Sequence, residues 1–200
     1  MPQTATAPRS LTPDDPRWTL ARVVTLAGAT IDAVAPDQLD APTPCPDFTV
    51  RTLIRHEIAV LCRVAGLARG EDPTSIPELV ADGDDADLHV RWVASAHDVQ
   101  RAWTDDVLDR DVVLPFATVL GRVALPVYVC ELLVHTWDLA RATGLRPAWD
   151  PRIPEAAASA ARIVLPASAH RRRSAFGPPV ETVPGAPAID RLAAWYGRTP

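Results

Sequence analysis

Lysine is absent from the 200-residue sequence, and all 20 basic side chains are arginine. Arginine keeps its charge and binds carboxylates with a two-pronged fork, so the positive charge of this chain is permanent. A basic excess is missing as well. The net charge of -5 and a pI near 5.5 exclude general affinity for nucleic acid or for an anionic membrane surface. Cysteine is scarce: Cys45, Cys62 and Cys130 show no C-x-x-C spacing, and an odd number without a signal peptide reads as reduced thiols. The opening MPQTATAPRSLTPDD lacks the hydrophobic stretch of a secretion signal. No apolar run approaches the ~20 residues that cross a bilayer. A cytoplasmic protein without membrane contact is the expectation.

What the sequence does contain is an ordinary globular balance of 48% apolar and 22% charged residues, enough for one domain with a sizeable core. Residues 1–15, rich in Pro, Ser and Thr, are expected to be loose. Residues 16–200 are expected to form one domain that includes a loop-rich tail over 165–200. Asp14 or Asp15 can cap a first helix from Pro16 to about Val34. Thr49 or Asp47 opens a second, ended by Gly70. An acidic connection over 71–88 has room for one helical turn at Ile76–Val80. A third helix is expected over His89–Val107 from its apolar spacing. The stretch VVLPFATV is β-like and turns at Gly121 into a fourth helix, Arg122–Thr143, stopped by Gly144. Shorter helices are expected at Pro154–Val164 and Ile189–Tyr196. The fold class that follows is all-α: a four-helix bundle with short peripheral helices, its second connection long enough to span the bundle.

The fourth helix carries the chemistry. At 100° per residue, Tyr128, Glu131, His135, Asp138 and Ala142 fall on one stripe, while apolar residues cover most of the rest. A helix apolar on nearly every side belongs in the core, so this polar stripe points inward. An ionised Glu there without a partner costs several kcal/mol, and a metal ion supplies the counter-charge. Residues four apart lie ~5–6 Å from each other at Cβ, so Glu131 and His135 can converge on one ion. Three protein ligands are usual where a position stays open for water or substrate. His56, at the edge of the second helix's apolar stripe, is the third. Glu57 sits nearer the middle of that stripe, as a rival ligand or as an acceptor behind the ligands. Asp138, one turn from His135, can orient an imidazole.

Blander readings apply elsewhere. A Glu/His pair on an exposed face is ordinarily solvated, and a lone His56 is an ordinary helix histidine; the apolar surroundings favour an ion here. His89 and His97 read as surface residues, and His170 in HRRR as the end of a solvated loop. Trp92, Trp103, Trp137 and Tyr128 are core material.

The blocks PTPCPDFTVRTLIRHEIA, LPFATVLGRVALPVYVCELLVHTWDLARATG and FGPPVETVPGAPAIDRLAAWYGR resemble the actinobacterial metal-binding proteins related to mycothiol-dependent maleylpyruvate isomerase, of the DinB-like superfamily. The resemblance runs from about Trp18 to Pro200. It implies a four-helix bundle with a crossover connection and a divalent metal, usually zinc, held by His56, Glu131 and His135. Glu57 departs from the apolar residue usual after the first His. The isomerase carries an additional C-terminal domain that contributes to its active site; a counterpart is not expected in this sequence, and neither is isomerase activity.

The resemblance further implies mycothiol as cofactor, with a small-molecule thiol and an electrophilic substrate as partners. The enzymatic reading is a metal-dependent thiol transferase in which the ion activates the thiol and Asp138 tunes the ion. Arg63, Arg122 or Arg141 can meet an acidic cofactor group at the bundle mouth. The alternatives are a non-catalytic metal- or thiol-responsive module, or a dimerising bundle in which Glu131 and His135 form only a buried ion pair.

Overall fold

The computed structural model describes residues 11–167 and 176–200. Most of the expected loose N-terminus, and His170 with its arginine run, lie outside the described residues. Helix α1 (Pro16–Asp32) starts where the Asp15 carboxylate accepts the Arg17 N–H at 2.9 Å and Pro16 fills the first turn. Helix α2 (Val50–Arg69) is capped by the Thr49 hydroxyl, which accepts the Thr52 N–H at 3.3 Å, and it ends at Gly70. Then come α3 (Leu88–Ala102), the short α4 (Asp105–Asp109), strands β1 (Asp111–Leu114) and β2 (Ala117–Leu120), and the long α5 (Gly121–Thr143). Helices α6 (Arg152–Val164) and α7 (Ala188–Trp195) follow.

The four long helices close a bundle in the order α1, α5, α2, α3, so that α1 faces α2 and α3 faces α5 across the diagonals. The first and third connections therefore make the crossings, whereas the long second one joins neighbours. Helix α5 is the centre of the core: Leu125, Leu132, Leu133 and Leu139 pack with Leu53, Ile54, Ile58 and Leu61 of α2, all at 1% exposure or less. Helices α6 and α7 pack on α5 from the other side. The β-like stretch is an antiparallel hairpin with Asp111 opposite Leu120 and Leu114 opposite Ala117.

Three expectations change. The third helix does not run to Val107 but breaks after Ala102. Trp103 leaves the helix because its indole N–H donates to the Val64 carbonyl at 2.9 Å and its own carbonyl accepts Arg17 at 3.2 Å. Residues Ile76–Val80 form bends rather than a helical turn. Their carbonyls are taken by side chains of α2: Arg63 donates to Pro77 at 3.1 Å, His56 Nδ1 meets Glu78 at 3.0 Å, and Arg55 donates to Val80 at 2.6 Å. This strap lies along the helix that carries His56. Finally, α5 does reach a membrane-crossing length and hydropathy, but 78% of that apolar window is buried inside the protein, as a bundle's central helix requires.

Gly121 is the first residue of α5, held by a 2.9 Å bond from its N–H to the Arg110 carbonyl. A Cβ there would lie 2.1 Å from the Val107 carbonyl oxygen, a backbone atom that cannot step aside. Gly121→Ala should lower stability by about 1–3 kcal/mol, the usual cost of overpacking. Thermal denaturation of the variant checks this, and an unchanged midpoint would refute the contact.

Candidate metal centre

Helices α2 and α5 pack side by side, and their facing stripes bring His56, Glu131 and His135 together. One donor atom from each lies within 4.8 Å of the other two. His56 Nε2 is 3.5 Å from Glu131 Oε1, and the two imidazole rings meet edge to face with centroids 4.9 Å apart. A zinc ion with bonds of ~2.1 Å needs neighbouring donors ~3.4 Å apart, so the His56–Glu131 spacing already suits one. The Phe48 ring closes one side, 5.2 Å from His56.

The opposite edges of the imidazoles are occupied. His56 Nδ1 lies 3.0 Å from the Glu78 carbonyl on the strap, and His135 Nδ1 lies 3.3 Å from Asp138 Oδ2. A carbonyl and a carboxylate only accept, so each Nδ1 carries the hydrogen when the ring is neutral. That leaves both Nε2 lone pairs unengaged by these partners, which is the state a metal ligand needs. The donor set thus fits a divalent ion. His56 and His135 are nearly enclosed, but the Glu131 side chain is 26% exposed, so the cluster is open to solvent on that side.

Charge around Glu131 is balanced in its favour. Burial pushes its carboxyl up, but the contact with His56 and the charges of His135, His56 and Arg63 outweigh burial, so the net direction is downward. Arg63 reaches to 3.9 Å from Glu131 Oε1. The other two arginines expected at the mouth are engaged elsewhere: Arg122 pairs with Asp109, and Arg141 lies over the Trp137 ring at 5.4 Å.

Asp138 is where the stripe predicted it, behind His135, and it is completely buried. Its counter-charge is Arg198, a residue the sequence reading missed. Arg198 Nε donates to Oδ1 and Nη2 to Oδ2, both at 2.9 Å. The available signal was an acidic residue on an inward stripe, which calls for an arginine in a chain without lysine. Cys45 was also missed, although it sits in the PTPCPDF motif. A donor atom each of Cys45, His135 and Asp138 lies within 4.8 Å of the others. Burial pushes its thiol up to about 11, against the pull of Arg198, so it stays protonated at neutral pH.

Glu57 joins no donor cluster among the described residues. It is fully buried, with Oε1 3.3 Å from the Thr136 hydroxyl and no partner for Oε2. Burial pushes its carboxyl well above the usual carboxylate range; Thr136 acts the other way, and the Asp138 charge adds to the rise. Thr136 has one hydroxyl hydrogen, and the Leu132 carbonyl at 2.7 Å is the nearer acceptor. The longer bond that Thr136 donates to Glu57 Oε1 is therefore a weak share of the same hydrogen, too little to offset burial of the carboxyl.

The chain is thus a crossed four-helix bundle with a His/Glu/His cluster between two of its helices. Residues 21–140 match the family described as the mycothiol maleylpyruvate isomerase N-terminal domain, and the chain belongs to that family. Two relatives, both uncharacterized proteins of Mycobacterium tuberculosis (strains CDC 1551 and H37Rv), are each 30% identical over 187 residues, covering 92% of this chain and 98% of theirs. The crystal structure of a mycothiol-dependent maleylpyruvate isomerase shares the fold with a TM-score of 0.53 at 18% identity. The match covers 64% of this chain and 61% of that one.

The state of Glu57 is open to a direct check. The folded protein holds this proton to a higher pH than the unfolded chain does. Its contribution to stability is therefore complete below the ordinary carboxylate range and is lost as pH rises from there toward the folded value. Glu57→Gln keeps the shape without the titration. Urea denaturation between about pH 4 and pH 8 should show a shallower decline for the variant than for the parent, and identical slopes would mean that Glu57 is ionised in the fold.

Proposed function

We propose that the protein binds one divalent metal ion, zinc in the first instance, through His56, Glu131 and His135. We further infer that it uses the ion to activate a small-molecule thiol, mycothiol by family, toward an electrophilic substrate in the cytoplasm. The observation that carries this reading is the convergence of three donors in which both imidazoles have their Nδ1 edges tied to protein acceptors. A bound divalent ion lowers the pKa of a thiol and presents it as a thiolate.

The protein's own groups supply the rest. Glu131 contributes negative charge from the solvent-facing side, where a fourth position can be reached. Asp138 keeps His135 in the Nδ1–H form, and the Glu78 carbonyl does the same for His56. Arg63, beside Glu131, gives the mouth a positive charge suited to an acidic group on the incoming thiol. The neutral Cys45 thiol does not compete as a nucleophile. A His/Glu/His set also accepts nickel, iron or manganese, so availability selects among them.

Purified protein supplied with zinc should bind about one ion per chain, and His135→Ala should abolish the binding. At a hundredfold excess over Kd the ion should add ~2.7 kcal/mol to stability, removable by chelator. Binding should weaken in acid, because both imidazoles must be deprotonated to ligate. Wild-type protein that stays metal-free and indifferent to chelator overturns the reading and leaves a buried ion pair. A filled site that conjugates mycothiol to none of a panel of electrophiles favours the binding or sensing module instead.

A further inference from the structure

Asp138 and His135 share one turn of α5, and the bond between them, at 3.3 Å, is long. On its own it would hold neither the carboxylate nor the ring. What fixes the carboxylate is the fork of Arg198, which occupies both oxygens at 2.9 Å from a position sixty residues away. Asp138 is 0% exposed and Arg198 is 4% exposed, so water does not compete for either. Two parallel charge-assisted bonds fix a carboxylate's plane as well as its position.

Arg198 is itself delivered by a built turn. Its backbone N–H donates to the Ala193 carbonyl at 3.1 Å, and its Nη1 donates to the Tyr196 carbonyl at 3.3 Å. Gly197 just before it has φ 86°, and a Cβ there would meet the Gly177 Cα at 2.8 Å, so only glycine fits the reversal. The Tyr196 ring stands edge-on to Phe176 at 4.9 Å. The chain after α7 is thus folded back beneath α5.

We propose that Arg198 is a positioning residue for the ion site: by clamping Asp138 it holds His135 in the one orientation and tautomer that turns Nε2 toward Glu131 and His56. This rests on the reading of those three residues as ligands. Without the fork, the Asp138 carboxylate is free to rotate away from Nδ1 or to turn toward the ion itself. The last turn of the tail then sets the affinity of a site formed by α2 and α5, although the family match ends at residue 140.

The test compares Arg198→Ala, Arg198→Lys, Asp138→Asn and the Asp138→Asn, Arg198→Ala double variant with the wild type. Nitrogen-15 NMR of the metal-free protein reads the His135 tautomer, and competition titration reads zinc affinity. Wild type should show a single Nδ1–H form. Arg198→Ala should show mixed tautomers and a zinc Kd raised about 10–100-fold, with Arg198→Lys in between. In the Asp138→Asn background, removing Arg198 should change the tautomer no further. Should Arg198→Ala fail to fold, the lysine variant carries the comparison, because it keeps the charge and loses the fork. A single wild-type-like tautomer and unchanged zinc affinity in every folded Arg198 variant overturn the proposal. Wild-type protein that binds no zinc would instead overturn the metal reading, while the tautomer comparison would still decide the role of Arg198.

Discussion

Two carboxylates sit on the inward stripe of the most apolar helix among the described residues, and neutralising them organises the rest. Asp138 is completely enclosed and is met by the arginine of the C-terminal turn. Glu131, about two turns away, keeps an open edge and is faced by two imidazoles and the fringe of Arg63. A buried carboxylate without a partner costs several kcal/mol, so neither can be present by accident in a helix whose other faces are filled with leucine and valine. One is answered by a fixed cation from the protein. The other is answered by groups that can themselves bind a cation. Glu57 takes another course: it is fully buried without a counter-charge, and burial raises its carboxyl well above the usual carboxylate range.

The sequence made the first part of this legible. Helical spacing alone puts Glu131, His135 and Asp138 on one line, and an apolar stripe on α2 brings His56 to face them. Local chemistry also located the helix starts at Pro16 and Val50 and the stops at Gly70 and Gly144, because caps and glycines act within a few residues. The parts that stayed hidden depend on distant contacts. Trp103 breaks α3 because of a carbonyl on α2, and the strap over 76–80 is held by hydrogen bonds to α2. Arg198 is sixty residues from the acid it serves. Periodicity carries no trace of such pairings, and the diagonal order of the helices is likewise decided by packing.

The same long-range contacts link the fold to the proposed chemistry. The strap ties His56 through Glu78, the tail ties His135 through Asp138, and each leaves one ring nitrogen facing the gap between α2 and α5. Rigid elements on both sides fix the donors, while the exposed edge of Glu131 leaves an approach for a small molecule. The protonated Cys45 and the enclosed Cys130 add no competing thiolate.

X-ray absorption at the metal edge of zinc-loaded protein tests the central claim most directly. Coordination by these three side chains predicts two imidazole ligands and oxygen donors, all at ~2.0–2.2 Å, with no sulfur in the sphere when no small-molecule thiol is added. A sulfur scatterer near ~2.3 Å, or a spectrum without imidazole, would contradict it.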